Sequence, residues 1–354
     1  MTILEILTKA VELESSDIFL ITGSPVTFKC NGSLDKLDES PLLPHDTETL
    51  VNEIYELKKG KTKEQLEKNG DDDFSFSISG LGRFRVNIYY QRGSLSAVLR
   101  VVKPELPDYK ELMLPEAVIN LSKQLKGLVL VTGSAGNGKS TTLACIIDRI
   151  NTSRKSHIIT IEDPIEFLHR HKKSIVTQRE IENDVIDYTH ALKATLRQAP
   201  DVIFVGEMRD YETIKTVLSA AETGHLVFST LHTLGAAETI DRIIDVFPSA
   251  QQHQIKVQLS MVLQAVVSQL LIPTIDNKLV PAFEILIVNN AIRTQIRDGK
   301  TYQIDNYIAS GKQDGMITMD DSIFSLYKEG KISKENALLY AVNSELMEKK
   351  IGKA

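Results

Sequence analysis

Apolar runs at residues 128–131, 157–161, 202–205 and 226–229 alternate along the chain with segments of helical period near 141–150, 188–198, 211–223, 236–244 and 251–271. Runs with so few polar positions suit strands buried on both faces. Their alternation with helices predicts an α/β fold, with a mainly parallel sheet covered by helices on both sides. The first part of the chain reads differently. Phe74, Phe76 and Ile78 alternate with polar residues, as do Phe84, Val86, Ile88 and Tyr90, leaving Arg83, Arg85, Asn87 and Gln91 on the opposite face of that strand. Ile18-Phe19-Leu20-Ile21 and the alternating Val26, Phe28 and Cys30 predict two strands joined at Gly23-Ser24-Pro25, with Asn31-Gly32 as a further tight turn. Ile3, Leu4, Leu7, Ala10 and Val11 form the apolar side of an N-terminal helix. Asp46 is placed to cap a second helix carrying Leu50, Val51, Ile54 and Leu57.

The two patterns are separated by Lys103-Pro104-Glu105-Leu106-Pro107-Asp108, which fits neither period. The chain therefore reads as a smaller α+β domain over 1–103, a linker over 104–110 and an α/β domain over 111–354. A length of 354 residues, with 42% apolar and 25% charged content, suits two globular domains. The net charge of −6 disfavours a motor that grips nucleic acid through a broadly basic surface, so no nucleic-acid partner is expected. Cys30 and Cys145 supply neither a disulfide framework nor a four-cysteine zinc site, and the cytoplasm is the expected compartment. Glu5 and Lys9 interrupt the N-terminal apolar pattern, unlike the core of a signal peptide. Gln258, Gln264, Ser268 and Gln269 interrupt the apolar stretch 257–272, which is too short and polar to span a bilayer. Membrane contact is expected only through a partner, without direct insertion.

The chemistry begins at Gly133-Ser134-Ala135-Gly136-Asn137-Gly138-Lys139-Ser140, directly behind the run 128–131 and ahead of a helical segment carrying Leu143, Ile146, Ile147 and Ile150. Glycines let backbone N–H groups turn inward around phosphates, Lys139 reaches the β and γ oxygens, and the Ser140 hydroxyl suits Mg2+. The helix N-terminus adds partial positive charge. Ser134, Gly136, Asn137, Gly138, Lys139, Ser140 and Thr141 are thus the candidate nucleotide contacts, with ATP and Mg2+ the expected ligands and Lys139 also a catalytic candidate.

A nucleotide-splitting site needs carboxylates at the ends of neighbouring strands. Val202-Ile203-Phe204-Val205-Gly206-Glu207 and Ile158-Ile159-Thr160-Ile161-Glu162-Asp163 both have this form. Glu207 is assigned to the Mg2+ shell and Glu162 to orienting or deprotonating the attacking water, with Asp163 and Glu166 behind them. His225 and His232 bracket the run 226–231. His232 stands where a γ-phosphate sensor would, and spacing alone suits a structural histidine equally. His169 and His171, beside Arg170, Lys172 and Lys173, read as a solvated charged stretch. Arginines decide whether such a site works alone or between subunits; Arg83, Arg85, Arg92 and Arg100 are the candidates in the first domain, Arg197 and Arg209 in the second.

Taken together these strings resemble the secretion and pilus ATPase superfamily, most closely its PilT-type retraction branch. The resemblance runs from Ser16-Asp17-Ile18 through the phosphate loop. It continues in Thr160-Ile161-Glu162-Asp163-Pro164-Ile165-Glu166-Phe167, similar to the family's aspartate box, and in residues 200–210, similar to its Walker B segment. Residues 223–233 are similar to its histidine box, and 291–300 to a helix that marks retraction ATPases, with Thr294-Gln295 where Asn-Leu is usual. The resemblance implies a PAS-like domain before a RecA-like P-loop ATPase domain with a C-terminal helical region. It also implies a homohexameric ring with ATP between subunits, and a pilus inner-membrane platform protein as partner. It gives His232 the role of γ-phosphate sensor and makes Arg85, Arg92 and Arg100 nucleotide contacts across domains. The expected activity is Mg-dependent ATP hydrolysis that moves the two domains and drives pilus depolymerisation and twitching motility, peripherally at the inner face of the cell membrane. Pilus extension, DNA uptake or protein secretion, and a nucleotide-binding scaffold with little turnover, are the competing readings.

Overall fold

In the computed structural model residues 1–30, 32–102 and 106–353 are described. The chain divides into two compact units, Met1–Glu105 with Glu166–Leu168, and Leu106–Ile165 with His169–Ala354. The expected linker and the Asn31-Gly32 turn fall partly outside the described residues.

In the first unit α1 (Ile3–Glu12) precedes β1 (Asp17–Leu20), β2 (Thr27–Cys30) and β3 (Ser33–Lys36), followed by α2 (Pro44–Leu57), α3 (Glu64–Asn69), β4 (Asp71–Ile78), β5 (Gly82–Gln91) and β6 (Ser94–Val102). The strands form one antiparallel sheet of order β3-β2-β1-β6-β5-β4. Helix α1 starts at a reciprocal cap in which Thr2 Oγ1 accepts the Glu5 N–H and the Glu5 carboxylate accepts the Thr2 N–H. It buries Ile3, Ile6, Leu7 and Ala10, while Leu4, read as apolar-facing, is exposed. Pro44 opens α2, where its missing N–H costs nothing, and Asp46 receives the Leu43 N–H from inside the first turn instead of standing before it. On β5, Phe84, Val86 and Ile88 are buried as period two requires; Tyr90, beside the turn to β6, is exposed.

The second unit opens with the short helix α4 (Glu116–Ile119) and then runs β7 (Gly127–Thr132), α5 (Lys139–Ser153), β8 (His157–Glu162), β9 (Ile175–Glu180), α6 (Tyr188–Thr195) and β10 (Val202–Val205). It continues with α7 (Tyr211–Glu222), β11 (Leu226–Leu231), α8 (Ala236–Asp245), α9 (Ser249–Val262), β12 (Leu263–Pro273) and β13 (Leu279–Ile287). Five helices follow: α10 (Asn290–Asp298), α11 (Ile304–Ser310), α12 (Met319–Lys328), α13 (Lys334–Tyr340) and α14 (Ser344–Ile351). The sheet order is β13-β12-β7-β11-β10-β8-β9, parallel throughout except for the β12–β13 hairpin. Residues of β7 alternate between two cores. Leu128 and Leu130 pack with Ile214, Val217, Ile240 and Leu259 on one face, and Val129 and Val131 with Leu143, Ile146, Ile147 and Ile150 of α5 on the other. That is why every residue of β7 is apolar or buried. A third core joins Ile272 and Val280 to Met319, Ile323, Met347 and Ile351 near the C-terminus.

The expected helix over 251–271 is corrected. Helix α9 stops at Val262 and the chain runs on as β12, between β7 and β13. A short apolar run looks alike as buried helix or buried strand; here the free edge of β7 and the neighbouring β13 take up its backbone groups, which periodicity does not reveal. Helix α6 likewise ends at Thr195, short of residue 198.

Candidate functional site

The phosphate loop 133–138 leaves the C-terminal end of β7 and enters α5 at Lys139. Ligands of open parallel sheets bind at such strand ends. Gly133 has φ +137°, and a Cβ there would stand 2.4 Å from the Gln269 carbonyl oxygen, so the loop can rest on β12 only without a side chain at this position. Gly138 turns the chain into α5 in the left-handed region at φ 76°. The Lys139 ammonium is buried and donates to the carbonyls of Gly133 at 2.7 Å and Ser134 at 3.0 Å, which draws it across the loop. Ser134 and Gly136 are exposed, Ser140 and Thr141 half-buried in the first turn of α5. Asn137 faces inward: its Oδ1 accepts the Leu271 N–H at 3.0 Å, while Thr142 Oγ1 donates to Gln269 Oε1 at 2.7 Å.

The two candidate carboxylates come from adjacent strand ends, since β8 and β10 pair in parallel and the Gly206 N–H donates to the Ile161 carbonyl at 2.8 Å. Glu162 is buried and accepts from Thr160 Oγ1 at 2.6 Å and Gln178 Nε2 at 3.2 Å, which fixes its orientation. Glu207 Oε2 lies 2.6 Å from Arg209 Nε and 3.2 Å from His232 Nε2. The carboxylate hydrogen bond holds Arg209 above the usual guanidinium range. His232, immediately after β11, is thereby brought onto Glu207, whereas His225 is tied at the other end of the strand to the Ala220 carbonyl. Glu207, Arg209, His232, Thr233 and Arg242 line a cavity of ≈ 350 Å³.

Among the described residues no cluster of three or more His, Cys, Asp or Glu side chains is arranged to hold a metal ion. This donor set still fits Mg2+ bound with a nucleotide, because that ion keeps several waters and takes phosphate oxygens with only one or two protein oxygens. Ser140 and Glu207 are of the right hard-oxygen type.

Gly206 also locates a residue that periodicity did not single out. A Cβ at Gly206 would meet the Tyr188 hydroxyl at 2.8 Å, so this phenol, at the start of α6, stands over the peptide joining β10 to Glu207. Burial, and then the charges of Asp163, Glu207 and Glu162, push it well above the ordinary tyrosine range. Gln269, Ser268 and Leu271 were missed as well, because their segment read as helix. Only the pairing of β12 with β7 brings them beneath the loop.

Arg85 and Arg100 are directly opposed on β5 and β6, in register. Like charges in that arrangement repel, and each is neutralised by a carboxylate. Arg85 forms a two-pronged pair with Asp73 at 3.1 and 2.7 Å, and Arg100 Nε bonds Asp17 Oδ1 at 3.0 Å. These four residues with Asn87 and Val98 line a cavity of ≈ 210 Å³ in the first unit. Arg92 sits in the β5–β6 turn at φ 50°. Glu166 is grouped with the first unit, and Glu162 and Glu207 with the second. His169 is corrected: it is half-buried, and burial lowers its pKa to about 4, so it is not part of a solvated charged stretch.

Residues 1–315 match the family described as type II/IV secretion system protein. The chain is 43% identical to the type IV pilus retraction ATPase PilT of Pseudomonas aeruginosa, over 95% of its own length and 97% of that protein. It is 42% identical to a twitching motility protein of Neisseria gonorrhoeae, over 96% and 90% of the two lengths. The crystal structure of the pilus retraction motor PilT with bound ADP superposes with a TM-score of 0.91 at 47% identity, covering 99% of both chains. Phosphate loop, adjacent strand-end glutamates and histidine occur here in one mainly parallel sheet of that same fold, and the chain belongs to the type II/IV secretion system protein family, as an ATPase of its PilT-type branch.

Proposed function

We propose that this protein is a Mg-dependent ATPase motor that powers retraction of a type IV pilus. The observation that carries the proposal is identity above 40%, over nearly the whole chain, to proteins described as a pilus retraction ATPase and a twitching motility protein. In this reading the phosphate loop, with Ser134, Gly136, Asn137, Gly138, Lys139, Ser140 and Thr141, holds the triphosphate. Ser140 and Glu207 hold Mg2+ directly or through its waters. Glu162 orients or deprotonates the attacking water, and Lys139 stabilises charge on the transferred phosphoryl group. His232, held by Glu207, reads the γ-phosphate.

The working form is a homohexameric ring with a PAS-like first domain, in which Arg85, Arg92 and Arg100 contact nucleotide and hydrolysis moves the two domains. Such motion follows because the γ-phosphate is the contact that vanishes on hydrolysis. The ring acts at the cytoplasmic face through a pilus inner-membrane platform protein. Among the described residues no helix is long and apolar enough to cross a membrane.

Two experiments test this. Phosphate release by the purified protein with ATP and Mg2+ separates a motor from a scaffold with little turnover. Glu162→Gln and Glu207→Gln are each expected to lower the rate by about 100-fold or more, and an unchanged rate overturns the mechanism. Deleting the gene is expected to abolish twitching while surface pili persist or increase; bald cells would instead indicate an extension motor.

A further inference from the structure

Beyond the groups that face the nucleotide, one fully buried hydroxyl joins the two halves of the site. Ser268, on β12, has no solvent exposure. Its Oγ lies 2.7 Å from Thr132 Oγ1, at the last residue of β7 before the phosphate loop. The same Oγ accepts the Gly235 N–H at 2.8 Å, at the end of the 232–235 loop. The next N–H, that of Ala236 at the start of α8, is taken by Glu284 Oε1 at 2.8 Å from β13. Two consecutive N–H groups that an α-helix leaves unbonded are thus pinned by side chains of the β12–β13 hairpin. Gly235 has φ +94° and its absent Cβ would stand 3.8 Å from that Glu284 oxygen, so the turn lies close against β13.

His232 is three residues before this anchor and carries an exposed ring, with Glu207 as its hydrogen-bonded partner. Thr233 Oγ1 bonds Thr239 Oγ1 at 2.8 Å, which ties the loop to α8 as one body. The backbone path from His232 to the phosphate loop therefore has a short lateral link: Gly235 to Ser268 to Thr132.

We propose that Ser268 is a positioning residue of the ATPase, setting the His232 loop at a fixed distance from the phosphate loop so that the enzyme distinguishes ATP from ADP, with Glu284 as its second anchor. The proposal rests on the reading of His232 as the γ-phosphate sensor. A neighbouring side chain does a different job. Gln269 Oε1 accepts the Thr142 hydroxyl in the first turn of α5 and its Nε2 would stand 3.0 Å from a Cβ at Gly138, so this side chain packs against the phosphate loop itself and acts on both nucleotides alike.

The test measures ADP and a non-hydrolysable ATP analogue by displacement of a fluorescent ADP from the full-length protein with Mg2+, together with steady-state hydrolysis. Ser268→Ala is expected to weaken the ATP analogue by about 10-fold while ADP stays within about twofold, and to lower kcat more than it raises KM. Thr132→Val, which cuts the same link from the β7 side, is expected to show the same ATP-selective loss, and it reads the link should Ser268→Ala fold poorly. Gln269→Ala is expected to weaken both nucleotides equally. In a His232→Ala background, adding Ser268→Ala is expected to change the ATP/ADP ratio no further, because the serine acts through the histidine. Equal loss of ATP and ADP in Ser268→Ala and Thr132→Val, or no loss in either, overturns the inference while leaving the sensor reading in place if His232→Ala is itself ATP-selective. A His232→Ala variant with an unchanged ATP/ADP ratio takes down the sensor reading and this inference together.

Discussion

Single residues in this site are constrained from directions that the linear chain does not display. Gly206 has an ordinary backbone conformation, yet a methyl group there would meet the Tyr188 hydroxyl at 2.8 Å and the Ile161 carbonyl at 3.2 Å. Gly206→Ala is therefore expected to destabilise the fold by about 1–3 kcal/mol, measured by denaturant unfolding. Adding Tyr188→Phe should recover only part of the loss, because the carbonyl remains. His169 makes a pH prediction. Its folded pKa is lowered to about 4 by burial, so below the ordinary histidine value the unfolded chain binds a proton that the folded chain does not. Stability should be unaffected by this residue above pH ~6.5 and should fall as pH drops from there toward 4. His169→Gln should flatten that decline by about 1–2 kcal/mol, the smaller figure allowing for its partial exposure. Equal pH slopes for the two proteins would sink the assignment.

At the scale of elements, β12 is the part whose role changes most between sequence and structure. Its residues divide between supporting the phosphate loop and filling the two cores: Ser268, Gln269 and the Leu271 N–H reach the site, while Val266 and Val267 pack to opposite sides of the sheet. Asn137→Ala removes the acceptor of the Leu271 N–H and should weaken ATP and ADP alike by about 5–10-fold in the displacement assay. The loss should be similar for the two nucleotides because the bond shapes the loop rather than contacting the γ-phosphate. Helix α10 is integrated in the same way. Arg293 donates to the carbonyls of Ser260 at 2.6 Å and Met261 at 2.8 Å and to Gln264 Oε1 at 3.2 Å, closing the end of α9 where β12 begins. Gln295 turns toward α11 and donates to the Tyr307 hydroxyl at 3.2 Å.

For the whole molecule, the proposed ring makes turnover a property of the assembly. The rate per chain is expected to rise with protein concentration to a plateau, and a rate independent of concentration down to the dissociated chain would argue for a complete site in one copy. The net charge of −6 predicts that single-stranded DNA leaves the hydrolysis rate unchanged; a steep, salt-sensitive rise would point to a nucleic-acid motor.

The linear chain determined the class of the second unit, the phosphate loop, and the strand ends carrying Glu162, Glu207 and His232. Each of these is a local matter: a run buried on both faces is apolar at most positions, and a phosphate loop needs its glycines and lysine at fixed spacing. Period two also identified the polar face of β5. Tertiary structure alone decided that 263–273 is a strand, that Arg85 and Arg100 are held by Asp73 and Asp17, that Tyr188 stands over Gly206, and that Ser268 links Thr132 to the loop of His232. Those features depend on which strands lie side by side. The partners stand anywhere from 12 residues apart, for Arg85 and Asp73, to 136, for Ser268 and Thr132, and no periodicity within one segment records them.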